Sequence, residues 1–185
     1  MPSPELPFSL PDPGTLGNSG LGRVVQRLTQ TLTRDALVQA TLEHLRESFH
    51  VDRVVLYYFY SRWRGQVTSE SWVTPSLSIL GSTGADDCFN DTYAEQYLQG
   101  RVRAIADVTS ANLDPCHLSF LQSISVQANL VVPVLVHHQL WGLLVAHHCR
   151  SSRPWQPGDI DEIRAAALTL AQSPAIESSL LPPDL

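Results

Sequence analysis

Lysine is absent from the 185 residues, so all 12 cationic side chains are arginine. A Schiff base to retinal or pyridoxal needs a lysine amine, as does a phosphate-binding Walker loop, and both are excluded. Any anionic ligand group must be held by arginine, histidine or backbone N–H. Cysteine is scarce and odd in number, three in all, which argues against a secreted disulfide framework. No apolar run approaches the length needed to cross a bilayer, and Met1-Pro2-Ser3-Pro4 does not open a secretory signal. A cytoplasmic protein without membrane contact is the expectation. The net charge is −6 and no long basic run exists, so nucleic acid is not an expected partner. Without a Cys-x-x-Cys pair or a helix-spaced histidine pair, no metal site is expected either.

What is present suits one globular domain. The hydrophobic fraction is 43% and the charged fraction 16%, and the length supports one sizeable core. Residues 1–20 hold five prolines and read as a flexible leader. From Leu21 the pattern becomes helical, with Val24, Val25, Leu28 and Leu32 in one stripe. Thr33 is placed to cap a second helix carrying Val38, Leu42, Leu45 and Phe49. These stripes read as core or dimer contacts. The domain is expected over 21–175, with 176–185 as a flexible tail.

Between them, β-branched and aromatic runs predict strands over 51–59 and 66–73, joined by a turn at 62–65. Residues 75–87 read as a loop, 91–98 as a short helix and 100–105 as a strand. A helix opens at Asp114 and runs to Ile124. Strands over 128–136 and 140–148 form a hairpin through His137-His138. Pro133 in the first of these is awkward, because proline removes a ladder donor. A last helix starts at Pro157, with Ile160, Ile163, Ala167 and Leu170 on one side. This mixture predicts an α+β domain, a central antiparallel sheet flanked by helices.

Chemistry gathers at Asp114-Pro115-Cys116-His117-Leu118. Asp114 can cap the helix with Pro115 in its first turn. Cys116 then lies near the helix N-terminus, where the dipole favours thiolate. A thiolate beside an imidazole is a nucleophile, for a catalytic cycle or for a single attachment; a buried, inert cysteine is the alternative. Nothing in the sequence orients a Cys-His protease dyad.

With Asn129-Leu130-Val131-Val132-Pro133 and Leu140-Trp141-Gly142-Leu143-Leu144-Val145-Ala146-His147, the run from Tyr97 to Cys149 resembles the chromophore-binding GAF domain of phytochromes, specifically of cyanobacteriochromes. Asp86-Asp87-Cys88-Phe89 matches the Asp-x-Cys-Phe motif of a two-cysteine subgroup, 28 residues before Cys116. The resemblance covers roughly residues 33 to 172. It implies a GAF fold and a linear tetrapyrrole, phycocyanobilin or its isomer phycoviolobilin, joined to Cys116 by a thioether. Cys88 would add reversibly to the central methine bridge. Breaking conjugation there moves absorption to the blue, and release restores a longer wavelength.

The same resemblance makes Asp86 the acid at the pyrrole nitrogens and Phe89 a neighbour of the bilin. Tyr93 and Tyr97 would line the pocket and His117 would pack on the chromophore. Arg101 would clamp a propionate, with Arg103 pointing the opposite way, and His147 would lie near the D ring. Light would drive C15 Z/E isomerisation, of a blue/green type, in a domain with no enzyme activity beyond attaching, and in some members isomerising, its own chromophore. An output signalling domain in a longer chain and a homodimer through the terminal helices are the implied partners. Two departures stand out, Thr109 where relatives carry tyrosine and Tyr58 where they carry arginine. A GAF sensor for haem, through His117 or His147, or for another small molecule is the alternative.

Overall fold

The computed structural model describes residues 13–84 and 91–180. Helix α1 (Pro13–Leu32) buries Val25, Leu28 and Leu32 of the predicted stripe and leaves Val24 exposed. It starts at Pro13 rather than Leu21, so part of the expected leader is helical. Proline is tolerated in a first helical turn, where no N–H partner is needed, and the downstream stripe supplies the packing.

Helix α2 (Ala36–Ser48) is capped by Asp35, whose carboxylate accepts from Val38 N at 3.0 Å. The expected cap, Thr33, instead donates its hydroxyl to Thr29 O at 2.8 Å, finishing α1. Two residues decide the outcome, because Thr33 still belongs to the preceding turn.

Strands β1 (Arg53–Ser61) and β2 (Arg64–Trp72) form a hairpin. A single 3-10 turn at Pro75–Leu77 follows, then α3 (Asp91–Leu98) and β3 (Arg103–Ile105). Helix α4 (Pro115–Ser123) leads into β4 (Ala128–Val136) and β5 (Gln139–His148). The turn between them holds His137 at φ 49° and His138 at φ 63°, the left-handed pair that a two-residue hairpin of this twist requires. Helices α5 (Pro157–Ala171) and α6 (Pro174–Glu177) close the chain.

The sheet order is β2-β1-β5-β4-β3, and every pair is antiparallel, as the succession of strands and helices predicts. Pro133 fits because β3 reaches only Asn129–Val131 of β4. Beyond that point β4 has one neighbour, and Pro133 stands opposite Leu143 there. One face of the sheet packs Val54, Leu56, Tyr58, Leu130, Trp141 and Leu144 against α1, α2, α5 and α6. The other presents Val55, Tyr57, Phe59, Val131 and Val145. Alternation along the strands assigns the two faces, except at Trp141, where an irregularity between the Val134–Gly142 and Leu135–Leu140 pairs breaks the period.

The expected flexible tail begins too early. Ile176 is fully buried, Tyr58 donates its phenol to Ser179 O at 2.9 Å, and Trp141 Nε1 donates to Ser179 Oγ at 2.8 Å. Buried apolar and hydrogen-bonded groups therefore extend the packed domain to Ser179. Val24, Leu37 and Leu168 are large apolar side chains left exposed on the helices. Among the described residues, no helix is long and apolar enough to cross a membrane.

Candidate functional site

The second sheet face floors a largely apolar cavity open to one side, the kind of concave site that takes small molecules. Val55, Tyr57, Phe59, Asn129, Val131, Val145 and His147 line it from the sheet. Helix α3 adds Tyr93 and Tyr97, and α4 adds His117, Phe120 and Leu121. Residues Ile79 and Ser82–Gly84 form a further wall. That segment is tethered: Gly84 N donates to the Tyr57 phenol at 3.0 Å, and Ile79 N to Glu70 Oε2 at 2.8 Å.

Helix α4 forms as its sequence dictates. Asp114 accepts from Cys116 N at 2.9 Å, and Pro115 occupies the first turn. Cys116 is exposed beside the cavity rather than lining it, one residue before His117, which does line it. Burial lowers the His117 pKa to about 4; Arg103 pushes the same way and Asp114 opposes. The ring is therefore neutral at pH 7. Burial also raises the Tyr97 phenol.

The two arginines exchange their expected places. Arg103 lines the cavity, while Arg101 does not and instead hydrogen-bonds Gln96. The alternation expected for 100–105 starts only at Arg103, because Gly100 and Arg101 still close α3. Gly100, at φ 83°, donates to Tyr97 O at 2.9 Å, and Arg101 N donates to Gln96 O at 2.9 Å, the Schellman pattern. Both guanidinium groups lie near the Tyr93 ring, at 5.7 and 5.6 Å from its centroid. Neither departure reaches the cavity wall: Tyr58 faces the helices, and Thr109 Oγ1 bonds Asp107 Oδ1 at 2.7 Å.

His147 is 4% exposed and sits at the wall. Arg53 Nε donates to its Nδ1 at 3.1 Å. An arginine N–H can only donate, so the proton of neutral His147 resides on Nε2. Burial, reinforced by Arg53, holds the His147 pKa well below the ordinary value. Arg53 is itself 1% exposed and also hydrogen-bonds the carbonyls of Leu77 and Ile124. It thereby pins the segment after β2 and the end of α4 to the sheet. Cys149 is half-buried, with its thiol pKa raised chiefly by burial, as suits a structural thiol.

Arg53 and Asn129 escaped a functional reading from sequence, although a signal existed for Arg53. Arg53 shares parity with Val55 and Tyr57, so the period of two places it on their face. Asp86, Cys88 and Phe89 lie outside the described residues. Among the described residues, no group of three or more His, Cys, Asp or Glu side chains could hold a metal.

Residues 33–173 match the GAF domain family. An uncharacterized protein of Picosynechococcus sp. is 52% identical over 151 residues, covering 82% of this chain and 93% of that one. A putative methyl-accepting chemotaxis protein of Synechocystis sp. is 36% identical over 76% of this chain, but only 14% of that protein is spanned. A structure of the cyanobacteriochrome receptor PixJ aligns with TM-score 0.68 and 34% identity, over 85% of this chain and 97% of that one. The blue-light absorbing form of the Thermosynechococcus elongatus PixJ GAF domain gives TM-score 0.69 and 33% identity, over 86% and 88%. The phycocyanobilin-bound GAF domain of a cyanobacterial phytochrome gives 0.68 and 28%, over 88% and 94%. The chain belongs to the GAF domain family and has the build of a cyanobacteriochrome photosensory domain.

Proposed function

We propose that this domain is a photoreceptor module that binds phycocyanobilin or phycoviolobilin covalently at Cys116. One observation carries the reading: an apolar cavity with Arg103, His117 and His147 in its walls lies directly beside Cys116. Likeness to a phycocyanobilin-bound GAF domain supports it. Arg103 suits a propionate, since a guanidinium fork pairs with a carboxylate. His117 is the neutral ring beside the attachment point, and His147 offers an N–H deeper in. The bilin supplies the light absorption and the isomerising C15 bridge; the protein supplies the anchor, the charge partner and the walls.

Attachment is an addition. The Cys116 sulfur bonds a carbon of the ring A side-chain double bond, the thiol proton goes to the neighbouring carbon, and no oxidant is consumed. The reaction requires Cys116 as the reduced thiol. A reversible second bond from Cys88 and a blue/green photocycle complete the proposal, with support from the Asp-x-Cys-Phe motif and the blue-absorbing relative. No enzyme activity beyond attachment and isomerisation of the chromophore is proposed. Output passes to a signalling domain in a longer chain, a role suggested by the chemotaxis relative. A homodimer would use the terminal helices, where Val24 and Leu168 are exposed.

The test is an absorption spectrum of protein made in phycocyanobilin-producing cells, before and after blue illumination. A covalent blue band giving way reversibly to a longer wavelength is expected, and Cys88→Ala should abolish only the blue form. Retention of no pigment would overturn the bilin reading; a Soret band instead would identify a haem sensor.

A further inference from the structure

Asn129 is 2% exposed, lines the cavity, and leaves its Oδ1 with no hydrogen-bond partner. A buried acceptor left unsatisfied is destabilising unless something else satisfies it. Its position is informative. Arg53, His147 and Asn129 are direct cross-strand partners, in one row across β1, β5 and β4. They therefore share the cavity face, with Cβ atoms of adjacent members about 5 Å apart. Arg53 fixes His147 as an N–H donor at Nε2 through the 3.1 Å bond to Nδ1. Asn129, with its orphan acceptor, is the cross-strand partner of that ring.

We propose that Asn129 is a ligand-binding residue, and that with His147 it forms a donor–acceptor pair that reads a lactam. A cyclic lactam holds its N–H and C=O syn on one edge. Asn129 Oδ1 accepts from the N–H, and His147 Nε2–H donates to the carbonyl. A carboxylate offers acceptors only, so it would bind with the Asn129 amide turned to present its NH2 and would leave the acceptor unused. This inference rests on the bilin reading, since both terminal rings of phycocyanobilin are lactams. It adds a selection for the ring edge that enters this end of the cavity.

The experiment uses reduced protein loaded with ¹⁵N-labelled phycocyanobilin, comparing wild type, Asn129→Leu and Asn129→Asp. Melting of the ligand-free forms is followed in parallel. Leucine removes the orphan acceptor, so the ligand-free Asn129→Leu domain should melt no lower than wild type. In the loaded protein one terminal-ring N–H signal should move upfield and exchange with water about tenfold faster, the effect of losing one hydrogen bond. Asn129→Asp keeps an acceptor and should leave that signal downfield. Unchanged N–H signals in Asn129→Leu would overturn the proposal, as would lower melting with no change in the loaded form. If Asn129→Leu takes up no bilin, retention by Asn129→Asp supports the proposal and equal loss overturns it. Failure of wild type to take up bilin would defeat the bilin reading itself, and this inference with it.

Discussion

Arg53 Nε lies 3.1 Å from His147 Nδ1, with both side chains buried. A guanidinium is rarely placed in a core without a carboxylate directly on it. Here its remaining hydrogen bonds go to the carbonyls of Leu77 and Ile124. The charge is spread over three acceptors, and it locks one ring in one tautomer.

Arg53→Met should therefore destabilise the domain by about 2–4 kcal/mol, because buried acceptors lose their donor. The midpoint of urea unfolding measures this. His147 should also lose its fixed tautomer, visible as a changed pair of ring ¹⁵N shifts. An unchanged pair would mean that Arg53 does not set the ring.

Stability should fall as pH drops from about 6.5 towards 4. His117 has its pKa lowered to about 4, and His147 shifts the same way. The unfolded chain thus binds more protons across this window, so folding weakens on acidification. Denaturation midpoints at pH 7, 5.5 and 4.5 test the sign, and His117→Gln should flatten part of the dependence.

Gly142→Ala should cost about 3 kcal/mol or more. A Cβ there would meet Tyr57 O at 2.0 Å, backbone against backbone. Strands β1 and β5 would have to part under the cavity floor. Thermal unfolding, together with loss of bilin uptake, reports the damage.

Replacing His137-His138 with Asn-Gly should stabilise by about 0.5–1 kcal/mol, since both residues occupy left-handed backbone. The exposed His137–Glu177 pair at 3.0 Å offsets little of this. Chemical denaturation of the variant gives the number.

Much of this fold was legible in the residue pattern. The α3 span and the Asp114 cap came from local rules that involve only neighbours in sequence. Errors arose where a tertiary contact overrode a local signal. Helix α1 extends over a proline- and glycine-rich start, and Ser179 is held by Tyr58 and Trp141, which lie far from it in the chain. At the site, His117, Tyr93, Tyr97 and His147 line one cavity, and Cys116 directly precedes His117 on α4. Arg101 and Arg103 traded positions because a helix cap, rather than strand alternation, governs Arg101. Asn129 could not be singled out from sequence, since an unsatisfied oxygen is visible only once its surroundings are known.

Tyr57 and Tyr58 are consecutive residues on opposite sides of the sheet. The phenol of Tyr57 receives the backbone of Gly84 at the cavity, and that of Tyr58 grips Ser179 near the last helix. One peptide unit thus spans from the ligand chamber to the far end of the chain. Any backbone shift at Tyr57 would therefore tug on the Tyr58 anchor too, so the two ends of the domain share one mechanical joint inside the sheet.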